Sequence, residues 1–262
     1  MSASNSPIDL AKLVAARRAV DFVESGMRVG LGTGSTAAHM VRELGRRVRE
    51  EGLEIVGVPT STATARLAEE LGIPLTTLNE AGSLDVTIDG ADEFDDTLTL
   101  IKGGGGALLQ EKIVAAASER MIVIADAGKH VGTLGAFPLP VEVLEFGMQS
   151  TRRHIAALLD EADVSGREAV FRERDGARFV TDEGNHILDL HLGRIGDARR
   201  LATALNTVPG VVENGLFIDL CDTVIIGHSD GRVEIGDLAS GAFTEEHGTG
   251  EEGENLFRDI AG

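Results

Sequence analysis

The sequence predicts a largely parallel α/β sheet domain carrying a smaller α+β unit, and three observations lead there. Short apolar strand-like runs alternate with helical runs through residue 126, the pattern of a parallel sheet with both faces covered. Character changes near Pro138 and Pro140, after which strands and helices follow a different order. From Asp237 the chain holds seven acids against one arginine, which predicts a solvated, flexible tail.

The elements follow in order. Ser6 as N-cap, Pro7 in the first turn and Asp9 at the positive end of the dipole start a helix. Leu10, Leu13, Val14, Val20 and Val23 continue it at helical spacing until Gly26. Strands are expected at 27–32, 53–59, 84–90, 97–101 and 121–126, with helices at 35–50, 62–72 and 107–120. The region after Pro140 reads as strand, helix, two strands, helix. GLFIDL and TVIIGH (215–220 and 223–228) then read as strands returning to the first domain. The implied division is 1–132 plus 208–236 for the sheet domain, 133–207 for the small unit and 237–262 for the tail.

Composition narrows the partners. There are 43 acidic against 24 basic residues, for a formal net charge of -19. Such a field repels nucleic acid and anionic membrane, so any anion must be held in a local basic, amide-rich pocket. Four lysines stand against twenty arginines, and Trp and Tyr are absent. Acid excess with scarce lysine predicts a salt-adapted protein, in which short Debye lengths screen self-repulsion. The single cysteine, Cys221, lies in an apolar run and predicts a buried thiol in a reducing cytoplasm. The N-terminus lacks the apolar core of a signal peptide, and no apolar run is long enough to span a bilayer.

Residues 88–112, IDGADEFDDTLTLIKGGGGALLQEK, carry the chemistry. Asp89 and Asp92 sit at the carboxyl end of an expected strand, where open α/β sheets place ligands. Lys102 precedes four glycines (Gly103, Gly104, Gly105, Gly106), and such a run costs backbone entropy that a bound ligand would justify. Glu111 follows on a helix, where a solvated glutamate is the plain alternative. Lys112 reads as a surface or structural residue. Carboxylates, one cation and bare amides together suit proton transfer on a polar anion. Upstream, GLGTGSTA (30–37) joins a strand to a helix, and its amides with the Thr33, Ser35 and Thr36 hydroxyls suit a phosphate. A tight turn with a serine N-cap is the plain alternative there. The next strand ends in Val58, Pro59 and Thr60 with no acid for a ribose hydroxyl, which argues against a nicotinamide cofactor. The seven histidines show no zinc spacing.

These motifs resemble the ribose-5-phosphate isomerase type A family. The resemblance rests on GTGSTAAH (32–39), DGADE (89–93), KGGGGAL with EK (102–112), ADAGK (125–129) and FPLPVEV (137–143), and spans roughly residues 8–236. It implies a Rossmann-like domain with a smaller ferredoxin-like α+β domain, no metal and no cofactor, and a homodimer or homotetramer. It implies an aldose–ketose isomerase interconverting ribose 5-phosphate and ribulose 5-phosphate through an enediolate. Glu111 then matches the catalytic base, with Asp89, Asp92 and Lys102 assisting. Lys12, Thr33, Gly34, Ser35, Thr36, Asp89, Gly90, Ala91, Asp92, Lys102, Gly103, Gly104, Gly105 and Lys129 would bind the substrate. The alternatives are a related-fold sugar-phosphate enzyme and a non-catalytic sugar-phosphate sensor. The latter is disfavoured by Glu111 and by the lack of a DNA-binding extension.

Overall fold

Ser6 opens the fold as expected. In the computed structural model, which describes residues 6–246, its hydroxyl accepts the Asp9 N–H at 3.2 Å ahead of α1 (Pro7–Val20). The helix stops at Val20, short of Gly26, because Phe22 and Val23 bond back to Ala19 and Val20 as a closing turn. Val23 still reaches the core.

The chain continues through β1 (Arg28–Leu31), α2 (Ser35–Glu50), β2 (Val56–Pro59), α3 (Thr62–Glu70), α4 (Leu78–Ala81) and β3 (Val86–Gly90). Next come β4 (Glu93–Phe94), β5 (Leu100–Ile101), α5 (Leu108–Ala116) and β6 (Met121–Asp126). A second group follows: β7 (Leu139–Val143), α6 (Met148–Asp160), β8 (Glu168–Phe171), β9 (Glu173–Arg174), β10 (Ala177–Arg178), β11 (His186–His191), α7 (Ala198–Asn206) and β12 (Val211–Asn214). The last strands are β13 (Leu216–Phe217), β14 (Thr223–Gly227), β15 (Val233–Asp237) and β16 (Ala242–Glu246).

The large sheet has the order β16-β15-β14-β6-β3-β1-β2. Its five strands from β14 to β2 are parallel, so all their carboxyl ends lie along one edge. These strands are short and apolar because helices cover them: α1 and α2 bury Val14, Ala15, Met40 and Leu44 against Val29, Leu31, Ile88 and Ile124.

Two expectations need correction. The acid-rich segment after Asp237 is exposed as expected, but it is not a tail from its start, since β15 and β16 pair antiparallel from Val233↔Glu246 to Asp237↔Ala242. Outward-facing acids are compatible with an edge strand, so composition alone could not distinguish it from a tail. The rest of that segment, 247–262, lies outside the described residues. Of the strands expected at 97–101 and 215–220, only Leu100–Ile101 and Leu216–Phe217 form. Asp95 Oδ1 accepts the N–H groups of Thr97 and Thr99, making a turn that leaves only Leu100–Ile101 as strand. That strand pairs with β4 and β13 in a separate three-stranded sheet.

The small unit is a four-stranded antiparallel sheet of order β12-β7-β11-β8, with α6 and α7 packed on it through Ile155, Leu159, Leu201 and Leu205. Strand, helix, two strands, helix, strand in this order is the ferredoxin-like arrangement. Its fourth strand, Val211–Asn214, was not read in the sequence, where Pro209 and Gly210 hid it behind a helix end.

Candidate active site

The parallel sheet reverses direction at one place. From β1 the chain crosses to β2 on one side, then returns to place β3 on the other. Ligands in open α/β sheets bind at the carboxyl ends of strands flanking such a switch point. The loop Gly32–Gly34 leaves β1 here, and Asp89 and Gly90 end β3.

Asp89 is fully buried. Its Oδ1 accepts the N–H groups of Thr33 (3.1 Å) and Gly90 (2.7 Å), joining both loops. Its Oδ2 lies 2.9 Å from Lys102 Nζ, a charge contact rather than an aligned hydrogen bond. The aligned bond of that ammonium goes to the Gly90 carbonyl at 2.5 Å. Lys102 Nζ also lies 3.5 Å from Glu111 Oε1 and 5.4 Å from the Phe217 ring centre. Glu111 is 4 % exposed, so the first turn of α5 turns it inward rather than to solvent. Its Oε2 is buried and has no hydrogen-bond partner among the described residues.

These three groups set each other's protonation. Burial, then the neighbouring Asp89 charge, pushes the Glu111 carboxyl up to about 8, against the lowering pull of Lys102. Burial also raises Asp89, despite the ammonium beside it. Burial works against the Lys102 charge, but Asp89 and Glu111 together hold it above its ordinary value. Two carboxyls around one cation leave one carboxyl able to hold a proton near neutrality, as a proton-shuttling group requires.

The glycine run forms the adjacent wall. Asp92 Oδ2 accepts the Gly104 N–H at 2.7 Å, and any Cβ at Gly104 would stand 2.5 Å from Asp92 Oδ1. Gly106 needs its missing side chain for two reasons: φ is +92°, and a Cβ would meet Phe179 at 2.4 Å. Gly105 is exposed and faces Thr33.

The first loop departs in detail from expectation. Gly34, not Ser35, caps α2, and Ser35 Oγ instead accepts from Lys12 Nζ at 3.0 Å. This brings Lys12 to the α2 N-terminus, whose first-turn amides have no intrahelical acceptor. Thr33 turns inward. Its Oγ1 lies 2.7 Å from Thr60 Oγ1, 2.8 Å from Ser61 Oγ and 3.1 Å from Thr64 Oγ1. Thr60 and Thr64 then donate to the carbonyls of Leu31 and Gly32. Thr60, Ser61 and Thr64 were missed as site residues, since three hydroxyls after a strand look like an ordinary turn. Lys129 ends a 3-10 turn (Ala127–Lys129) after β6, held by the Asp126 cap. It shares the carboxyl edge but makes no side-chain bond to the Asp89 cluster. Lys112 is structural: it donates to Glu213 and the Asn214 carbonyl.

Fold and site together define an α/β enzyme with a buried carboxylate–ammonium–carboxylate group over the switch point of its parallel sheet. The family model of ribose 5-phosphate isomerase A (phosphoriboisomerase A) matches residues 56–231. The chain is 64 % identical over 261 residues to ribose-5-phosphate isomerase A of Ruegeria pomeroyi, covering all of both chains. It is 67 % identical over 240 residues to that of Cereibacter sphaeroides, covering 92 % of this chain and 96 % of the relative. Ribose 5-phosphate isomerase A of Methanocaldococcus jannaschii superposes with a TM-score of 0.80 at 44 % identity, covering 87 % of this chain and 98 % of that one. A D-ribose-5-phosphate isomerase in complex with phospho-erythronic acid gives 0.82 at 38 % identity, covering 88 % and 99 %. The chain belongs to the ribose 5-phosphate isomerase A family and is an isomerase.

Proposed function

We propose that this isomerase interconverts ribose 5-phosphate and ribulose 5-phosphate with Glu111 as the base that moves a proton between C2 and C1. The observation that carries the reading is a buried carboxyl, raised to about 8, with a free oxygen and a cation 3.5 Å away. Glu111 takes the C2 proton of the open aldose, leaving an enediolate, and returns it at C1, while the O2 proton passes to O1 so that C2 becomes the ketone and C1 carries the hydroxyl. Such a positioned base is worth roughly 10²–10⁴-fold. Lys102 and the glycine-loop amides stabilise the developing oxyanion. Asp89 holds Lys102 and the Thr33 loop in place, and Asp92 fixes Gly104; either assists opening of the sugar ring.

The phosphate lies against Ser35, Thr36, Gly34 and the α2 amides, with Lys12 and Lys129 supplying charge. A relative that binds phospho-erythronic acid supports a phosphorylated sugar acid or sugar in this cleft. Remote phosphate binding then keeps C1 and C2 under Glu111. Gly90, Ala91 and Gly103 line the sugar. Thr33 serves through its shape-holding bonds.

A division near 132/133 fits the separate cores of the two larger sheets, but the return point lies later than 207/208, because β12 (Val211–Asn214) pairs with β7 and belongs to the small unit. We extend the proposal to a reducing, salt-rich cytoplasm, supported by the buried lone Cys221 and the acid excess, and, from the family resemblance alone, to a homo-oligomer.

The test is isomerisation in D2O followed by NMR. Deuterium at C1 of newly formed ribulose 5-phosphate supports proton transfer through an enediolate. Complete retention of the original C2 hydrogen, with no exchange under any condition, points to a hydride shift and contradicts it.

A further inference from the structure

Arg172 lies between β8 and β9, in the small unit, yet its side chain reaches the glycine loop. Its Nη1 donates to the carbonyls of Gly103 (2.8 Å) and Gly104 (3.1 Å). Its Nε and Nη2 donate to the two carboxylate oxygens of Asp189 on β11, at 2.8 and 2.5 Å. Both side chains are largely buried, 13 % and 17 % exposed. A two-point fork of this kind fixes the guanidinium plane, which a lysine could not do.

The consequence follows from peptide geometry. In a trans peptide the C=O and the next N–H point in opposite directions. With the Gly103 carbonyl on Arg172, the Gly104 N–H points the other way and meets Asp92 Oδ2. With the Gly104 carbonyl on Arg172, the Gly105 N–H must also point away from the small unit. That amide has no acceptor among the described residues, and Gly105 is exposed toward Thr33 across the cleft. Four glycines have the freedom to flip these planes; Arg172 removes that freedom. A cation on the carbonyls also polarises the peptides and strengthens their amides as donors.

We propose that Arg172, braced by Asp189, is a positioning residue for catalysis: it orients two peptide planes so that the Gly105 amide is presented to the enediolate oxygen. The inference rests on the reading of the glycine loop as the oxyanion site. It makes the small unit part of the catalytic machinery rather than only an appendage.

The test compares the parent enzyme with Arg172→Met and, because that variant could fail to fold, with Asp189→Asn. Three quantities are read: kcat and KM for ribose 5-phosphate, the inhibition constant of phospho-erythronic acid, and that of inorganic phosphate. The acid places a planar carboxylate where the enediolate oxygens form, whereas inorganic phosphate probes only the remote anchor. In Arg172→Met, kcat should fall by about 10²-fold, the scale of a misplaced catalytic group. Phospho-erythronic acid should weaken by at least about tenfold, with KM and inorganic phosphate affinity nearly unchanged, since only the oxyanion contact is lost. Asp189→Asn should show the same pattern at smaller size. A folded Arg172→Met with parental kcat overturns the proposal, as does equal loss of acid and phosphate affinity. If Arg172→Met does not fold, parental kcat in Asp189→Asn overturns it. Glu111→Gln, run alongside, separates the two layers. Parental turnover there sinks the reading of the site itself, whereas its collapse beside an active Arg172→Met sinks only the role of Arg172.

Discussion

Lys102 Nζ stands 3.5 Å from Glu111 Oε1, so the residue proposed to stabilise the oxyanion also touches the proposed base. Neither can be altered without changing the other. Asp89 completes the arrangement from the opposite side of the ammonium.

Lys102→Met tests this coupling. Loss of the cation should lower kcat by about 10²–10³-fold. It also removes the group that pulls the Glu111 carboxyl down, so the acidic limb of the residual kcat/KM profile should move above 8. A profile that keeps its position would show that the two residues do not interact.

Protonation of Glu111 is linked to stability. Its folded value of about 8 lies above the ordinary 4.5, so between those pH values the native state holds a proton that the unfolded chain has lost. Stability is therefore full below pH 4.5 and falls as pH rises through 8. Glu111→Gln lacks this loss, so its urea midpoint should gain on the parent from pH 5 to pH 9. A difference constant with pH contradicts the raised value.

The hydroxyl group around Thr33 should act on binding. Thr60→Val removes a hydroxyl that bonds Thr33 Oγ1 and the Leu31 carbonyl, costing about 1 kcal/mol of stability. With the phosphate loop loosened, KM for ribose 5-phosphate should rise more than kcat falls. Steady-state kinetics and a urea melt read both; an unchanged KM would place the cluster outside substrate binding.

Strand β16 should stabilise the folded chain. Phe243 stacks on His130 at 5.5 Å, with Phe94 on the other face of that ring, and Glu246 pairs with Arg18 on α1. Phe243→Ala should lower Tm by about 2–5 °C, the scale of one lost aromatic contact. No change in Tm would mean the strand is dispensable, as a solvated tail would be.

The acid excess predicts salt dependence. Self-repulsion at a net charge of -19 weakens as the Debye length shrinks to about 3 Å in molar salt. Tm should rise steadily from low to molar KCl, and equal Tm at both ends would remove the salt-adapted reading.

Strand and helix alternation made the parallel sheet legible, because burial on both faces leaves an unmistakable apolar pattern. Motif spacing placed Asp89, Lys102 and Glu111 at one site. It could not say that Glu111 points inward, since helical glutamates mostly face water and only the packing of α5 decides. Arg172 was invisible because its glycine-loop partners lie 68 and 69 residues away in the turn between β5 and α5, and nothing local marks it. Thr60, Ser61 and Thr64 carry no signature beyond being hydroxyls, and their convergence on Thr33 needs the β1–β2 pairing. Strand β16 was missed because outward acids on an edge strand have the composition of a tail.

The most direct test of Glu111 as base is turnover of ribose 5-phosphate by parent and Glu111→Gln, in molar KCl with excess EDTA. The account predicts ribulose 5-phosphate from the parent, kcat/KM rising with pH toward an inflection near 8, and a loss of roughly 10²–10⁴-fold in the variant. A folded, substrate-binding Glu111→Gln with parental turnover would contradict it.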